Sequence, residues 1–200
     1  MPRKYELKQR AAKQEETRQR IVEAAVALHE ALGPAQTTIS AIAEQAGVQR
    51  LTVYRHFPDN ESVFRACTGH WYAEHPAPDP EGWTAVTDPS ARLRLALAEL
   101  YAYFRHGEPM LTSAKRDLPH VPVLAKVVAE IEIPYWEQVH QTLIVGWGIQ
   151  DERHVVVRAA IGHATAFATW QSLVRAYGLN NAEAVDLMVC LVICAAGASC

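Results

Sequence analysis

The chain is poor in most of the features that announce a specific chemistry. Its 200 residues hold four cysteines, at 67, 190, 194 and 200, and they form no Cys-x-x-Cys pair and no Cys/His finger spacing, which excludes the common structural zinc sites. There is no His-x-x-x-His pair, and His140 and His163 fall on different expected helices, so no metal ligand set is expected. Ser90, Ser113, Ser172 and Ser199 lie outside any nucleophile-elbow context and no glycine-rich phosphate loop occurs. No catalytic residue, enzyme activity or cofactor is expected. The longest apolar run, Leu187 to Ala198, has twelve residues, whereas a membrane span needs about 20. The first five residues, Met1 to Tyr5, lack the apolar core of an export signal, so a cytoplasmic, reducing location is expected. Charge of one sign is also lacking: 19 Lys and Arg against 22 Asp and Glu leave a net charge of −3, which argues against coating nucleic acid by bulk charge.

What is present is apolar material, half of all residues, arranged almost everywhere at helical period. Ile21, Ala24, Ala25, Leu28 and Leu32 repeat at three and four before Gly33-Pro34, so a helix is expected from Glu15 to Leu32, preceded by a basic flexible arm over 1–14. Thr38 stands as an N-cap before a short helix ending at Gly47. A third helix reaches Phe57-Pro58, and Asp59 caps a fourth. Three prolines between His75 and Gly82 mark a boundary, which places one domain at 15–75 and a second at 84–200. In the second, helices are expected over 91–106, 109–114, 121–147, 151–177 and 181–197, with a kink near Pro134. No strand alternation appears, so the fold class is all-α. The charge is divided unevenly: 9 basic and 6 acidic residues up to Phe57 give +3, and 10 basic and 16 acidic after it give −6. Seven of the cations, from Arg3 to Arg20, precede the second helix directly.

The informative stretch is Thr37 to Phe64. A short helix, a glycine turn and a second short helix make a helix-turn-helix, with Ala43 and Ala46 allowing close approach and Ile42, Val48 and Val53 forming its small core. The second helix carries Gln49, Arg50, Thr52, Tyr54, Arg55 and His56, groups suited to base edges and phosphates. The string Thr38-Ile39, Ile42-Ala43, Ala46-Gly47-Val48, Val53-Tyr54-x-His56-Phe57, Glu61 and Phe64 resembles the tetracycline-repressor (TetR) family of bacterial transcription regulators. The resemblance implies an amino-terminal three-helix DNA-binding domain and a carboxy-terminal helical domain for ligand binding and dimerisation. It places Thr38 against a phosphate, Gln49, Arg50 and Thr52 at bases, and Tyr54 and His56 along the backbone of double-stranded DNA, with Arg55 a further DNA-contacting candidate. Two positions depart from the family pattern: Gln49 stands where a Ser or Thr cap is usual, and Asn60 where a phosphate-binding lysine is common.

For the second domain the resemblance implies a small apolar or aromatic effector. Tyr103, Phe104, Trp136, His140, His163, Phe167 and Trp170 are the candidate ligand-binding residues, aromatic and imidazole groups on largely apolar helices. The last two helices carry more apolar surface than one thin domain covers, so a homodimer is expected, with Ala159, Ala166, Met188 and Val192 at its interface and a palindromic operator as its target. The expected function is a repressor released from DNA by its effector, with helix four and the segment around Pro134 as moving parts. Two alternatives stand beside it: a redox-triggered regulator using Cys190 and Cys194, which share a helix face, and a helical enzyme or carrier with a vestigial helix-turn-helix.

Overall fold

The computed structural model describes residues 2–148 and 152–197, and every regular element among them is helical. The α-helices are α1 (Pro2–Ala31), α2 (Ile39–Gln45), α3 (Arg50–His56), α4 (Asn60–Glu74), α5 (Pro89–Asp117), α6 (Pro122–Ile144), α7 (Glu152–Ala164), α8 (Phe167–Gln171) and α9 (Asn181–Ala196). Several differ from the periodicity reading. Residues 2–14 continue α1 as helix rather than an irregular arm, because Lys, Gln, Arg, Glu and Ala are good helix formers and no breaker separates them from the amphipathic part. Pro109 lies inside α5 and Pro134 inside α6, and neither ends its helix. Where one helix was expected over 151–177, α7 stops at Ala164; α8 follows and widens into a π turn over Ser172–Ala176.

The chain forms two compact units, one of Met1–His75 with Glu108–Glu130 and the other of Pro76–Gly107 with Ile131–Cys200. The amino-terminal unit therefore takes in the end of α5 and the start of α6, which the expected boundary assigned to the second domain. The cause is apolar burial: Leu124, Val127 and Val128 of α6 join the same core as Ile21 and Ala25 of α1, Ile42 of α2, Val53 of α3 and Phe64 of α4. In α5 and in α6 the change of unit falls within one turn of the internal proline. Proline has no N–H, so each ladder lacks one rung there, toward the carbonyls of Arg105 and Glu130.

The second unit is built on a core of Trp83, Leu97, Leu100, Tyr101, Phe104, Leu143, Ile161 and Trp170, all under 2% exposed. Its buried polar groups are paired. Trp83 Nε1 donates to Glu99 at 2.7 Å, Tyr101 Oη donates to the Ala164 carbonyl at 2.8 Å, and Trp170 Nε1 donates to Asn181 Oδ1 at 3.1 Å. Arg92, also buried, donates to the carbonyls of Val86, Thr87, Thr142 and Val145. The last two belong to the open carbonyl end of α6, where a cation is stabilising. No helix among the described residues is long and apolar enough to cross a membrane.

Candidate functional site

Local chemistry sets the helix-turn-helix. Thr38 Oγ1 accepts the Ala41 N–H at 3.1 Å and starts α2. Gly47, at φ +64°, carries the chain out of α2, and the Val48 N–H returns to the Ala43 carbonyl at 2.9 Å. Gln49 occupies the N-cap of α3 without capping it, so its amide stays exposed. Val53 and Phe57 anchor α3, at 0% and 3% exposure. On the other side Arg50, Tyr54 and Arg55 are exposed, with Thr52 and His56 half-buried. The Arg50 guanidinium lies 5.4 Å from the Tyr54 ring centroid and donates to Tyr54 Oη at 3.0 Å, which holds both heads side by side at the surface. Leu51, which residue type alone assigns to a core, is 73% exposed on the same helix. The spacing signals this, since Leu51 is two residues from Val53 and so off the buried face. An apolar group there suits a thymine methyl.

Beside α3, the amino-terminal half of α1 forms the other wall of an open groove of about 890 Å³, lined by Lys13, Arg18, Arg20, Gln49, Thr52 and Arg55 among others. Arg18 is fixed there, over the Phe57 ring at 5.1 Å and 3.8 Å from Glu15. Lys13, Arg20, Arg50 and Arg55 pair with no carboxylate among the described residues. Three of these cations, Lys13, Arg20 and Arg55, line the groove and Arg50 stands on the same helix as Arg55, a charge pattern suited to an anionic polymer.

Two polar networks hold the unit that carries this surface, and residue spacing could not have found them. Asp117, at the end of α5, accepts the Ala35 N–H at 2.9 Å and the Arg116 Nε–H at 2.7 Å, while Arg116 also donates to the Leu32 carbonyl. These bonds pin the turn between α1 and α2. The Arg116 guanidinium holds the Asp117 carboxyl below the usual carboxylate range, against the opposing effect of its burial. The second network is exposed: Arg65 of α4 bridges Glu61 and Glu130, and Lys126 of α6 returns to Glu61 at 3.0 Å. Both glutamates are held below their ordinary range by these cations. Asn60, at the position where the resemblance puts a lysine, is exposed.

Residues 21–67 match the family model for bacterial regulatory proteins of the tetR family. Over these residues the amino-terminal module is similar to the tetR family. The HTH-type transcriptional regulator SrpR of Pseudomonas putida is 46% identical over 56 residues, which cover 28% of this chain and 26% of that protein's own length. Solved structures extend the likeness in fold to both units. A tetR-family transcriptional regulator from Streptomyces coelicolor superposes with a TM-score of 0.61 at 21% identity, covering 90% of this chain and 80% of that one. NalD, described as the secondary repressor of the MexAB-OprM multidrug efflux pump in Pseudomonas aeruginosa, gives 0.61 at 16% identity, with coverage of 92% and 96%.

Outside the matched module, the expected ligand-binding residues lie near one another in the second unit, apart from His163. Phe104 is the hub, its ring centroid 5.9 Å from Tyr103, 6.4 Å from Trp136, 5.5 Å from Phe167 and 6.0 Å from Trp170, and His140 lies 6.3 Å from Trp136. They meet as packed rings: Phe104, Phe167 and Trp170 are at most 5% exposed. Burial, with Glu132 second, pushes the Tyr103 phenol above its usual range. Burial, with Arg158 second, lowers His140, whose Nε2 lies 3.3 Å from the Thr165 hydroxyl. His163 stands apart: it is exposed and reaches Thr169 rather than the rings. Glu137 precedes His140 at the Glu-x-x-His spacing, yet no group of three or more metal-ligating side chains converges among the described residues.

The expected interface residues divide. Ala159 is exposed and Ala166 half-buried, but Met188 and Val192 are 4% and 0% exposed within the single chain and face inward on α9. The apolar residues that α7 and α9 leave outside are Val155, Val156, Leu187 and Leu191, at 68%, 52%, 41% and 50%. Cys194 is exposed and Cys190 half-buried, both on α9.

Proposed function

We propose that the chain is a homodimeric transcriptional repressor that reads a palindromic operator with α3 and leaves it when a small apolar or aromatic effector binds the second unit. One observation carries this reading: the exposed side of α3, with Gln49, Arg50, Leu51, Thr52, Tyr54 and Arg55, adjoins the cations of α1 on a module similar to the tetR family. The chemistry divides the labour. Arg50 and Gln49 supply bidentate donors for base edges, while Thr38, Tyr54, Arg55, His56, Lys13 and Arg20 supply position and charge along phosphates. The acidic remainder of the chain is repelled by DNA, which orients the basic end toward it.

Dimerisation uses the apolar face of α7 and α9, where Leu187 and Leu191 replace Met188 and Val192 as the contact residues and Ala159 keeps its place. Release follows from linkage: an effector that binds one arrangement better than the other shifts the population by that difference in affinity. With Phe104, Phe167 and Trp170 already packed, the effector enters by re-packing these rings, and the proline-interrupted stretches of α5 and α6 are where the helices yield. The test is a gel shift with the DNA upstream of the chain's own reading frame across a salt series. A palindromic segment should bind in the nanomolar range, and its affinity should fall steeply with salt. Equal affinity for that segment and for scrambled DNA would refute the operator reading.

A further inference from the structure

The amino-terminal unit contains a second cavity, at the start of α2, the end away from the turn at Gly47. It has a volume of about 260 Å³ and is bounded by His29, Thr38, Ile42, Asn60, Val63 and Phe64 among others. A void of about 150 Å³ with apolar walls already takes up benzene, so this one is sized for a single substituted ring. Its wall mixes apolar side chains with Thr37, Thr38 and Asn60, and His29 is the buried polar side chain in it, 4% exposed and stacked on Phe64 with centroids 5.4 Å apart.

The protons around His29 can be assigned one by one. Cys67 has one S–H, and it donates to the Phe64 carbonyl at 3.4 Å. Its sulfur lies 3.5 Å from His29 Nδ1; with the S–H turned to Phe64, that contact is an Nδ1–H donating to sulfur, and this tautomer is part of the inference below. Burial keeps the imidazole neutral, lowering its pKa from 6.5 to about 4. A neutral ring with its proton on Nδ1 presents a bare lone pair at Nε2. No buried side-chain nitrogen or oxygen lacks a partner among the described residues, and no protein group is seen bonded to Nε2, so this atom meets the cavity rather than the packed interior.

We infer that this cavity is a binding site for a small neutral phenol, whose hydroxyl donates to His29 Nε2 while its ring lies among Ile42, Val63 and Phe64. A carboxylate is disfavoured twice, by the acceptor lone pair and by the nearby Asp117 charge. The site is separate from the aromatic cluster of the second unit and stands independently of the proposed function. Its wall includes Thr38, the start of α2.

The test uses the full chain with para-cresol, and with toluene as the probe that lacks only the hydroxyl. Nitrogen-15 spectra of the histidine rings at pH 7 should show an unprotonated Nε2 on His29 and move on titration with para-cresol. Para-cresol should bind at least tenfold more tightly than toluene. His29→Phe, which keeps a ring on Phe64, should erase that preference. Three results would each overturn the inference: Nε2 protonated in the free protein, equal affinity for the two probes, or a preference unchanged in His29→Phe. Should His29→Phe fail to fold, the first two measurements on the unaltered chain decide.

Discussion

Gly33 is where backbone and side-chain constraints meet most tightly, and replacing it by alanine gives a prediction whose size can be worked out. Its φ of +96° and ψ of 153° lie in a region that is essentially open to glycine alone, at a cost of about 1–3 kcal/mol for another residue. A Cβ there would also land on the Arg116 guanidinium and the Asp117 carboxylate. Moving Asp117 away breaks its part-buried bond from the Ala35 N–H, and the loss of one such bond costs about 0.5–1.5 kcal/mol more. Gly33→Ala should therefore lose about 1.5–4.5 kcal/mol in urea unfolding, read as a lower midpoint at unchanged slope. Gly69→Ala is the control of opposite sign. It lies in α4 with nothing within 4 Å of the added methyl, and should gain about 0.5–1 kcal/mol. A double-mutant cycle with Asp117→Ala separates the two parts, because the steric part should shrink when the carboxylate is gone. If Gly33→Ala stays within about 0.5 kcal/mol of the parent, the account of this turn is wrong.

Four further outcomes are expected. His29 is a base whose folded pKa, about 4, lies below its ordinary 6.5, so the unfolded chain binds the extra proton. Its contribution is complete above pH 6.5 and falls by about 3 kcal/mol as the pH drops toward 4, which denaturant titration across that window should show and His29→Phe should flatten. Arg50→Ala should weaken operator binding by about 1–3 kcal/mol and relax one base position, seen in a competition assay with single-base variants. Lys13→Ala and Arg20→Ala should each reduce the slope of log affinity against log salt by about 1 without changing sequence preference, and unchanged slopes would remove α1 from the interface. Leu191→Glu should convert a dimer to a monomer in sedimentation, whereas Met188→Leu, buried within one chain, should leave the dimer intact.

Much of the first unit could be read along the chain because its determinants are local. Thr38 caps α2 and Asp59 caps α4 through bonds three residues long, and Gly47 makes the turn from its own backbone angle. The face that α3 exposes follows from the positions of Val53 and Phe57, so the candidate DNA-contacting residues needed no knowledge of the rest of the molecule. The effector-binding candidates gathered too, apart from His163, since aromatic residues on apolar helices tend to find one core.

Other features could not be read that way. Pro109 marked a helix start and Pro134 a kink by local preference, yet each lies inside one continuous helix that runs past its missing rung. Met188 and Val192 looked available for a partner until the packing of α9 within its own unit turned them inward and left Leu187 and Leu191 outside. The bonds from Asp117 to Ala35 and from Arg65 to Glu130 join residues 82 and 65 positions apart, and His29 meets a cysteine 38 positions away. The sequence by itself determined that this chain is helical and that its amino-terminal end has a helix-turn-helix with a basic face, because capping, periodicity and turn chemistry act over three or four residues. Only the tertiary structure decided which apolar residues remain exposed, where the units divide and which polar groups meet, because those depend on which surfaces compete for the same burial.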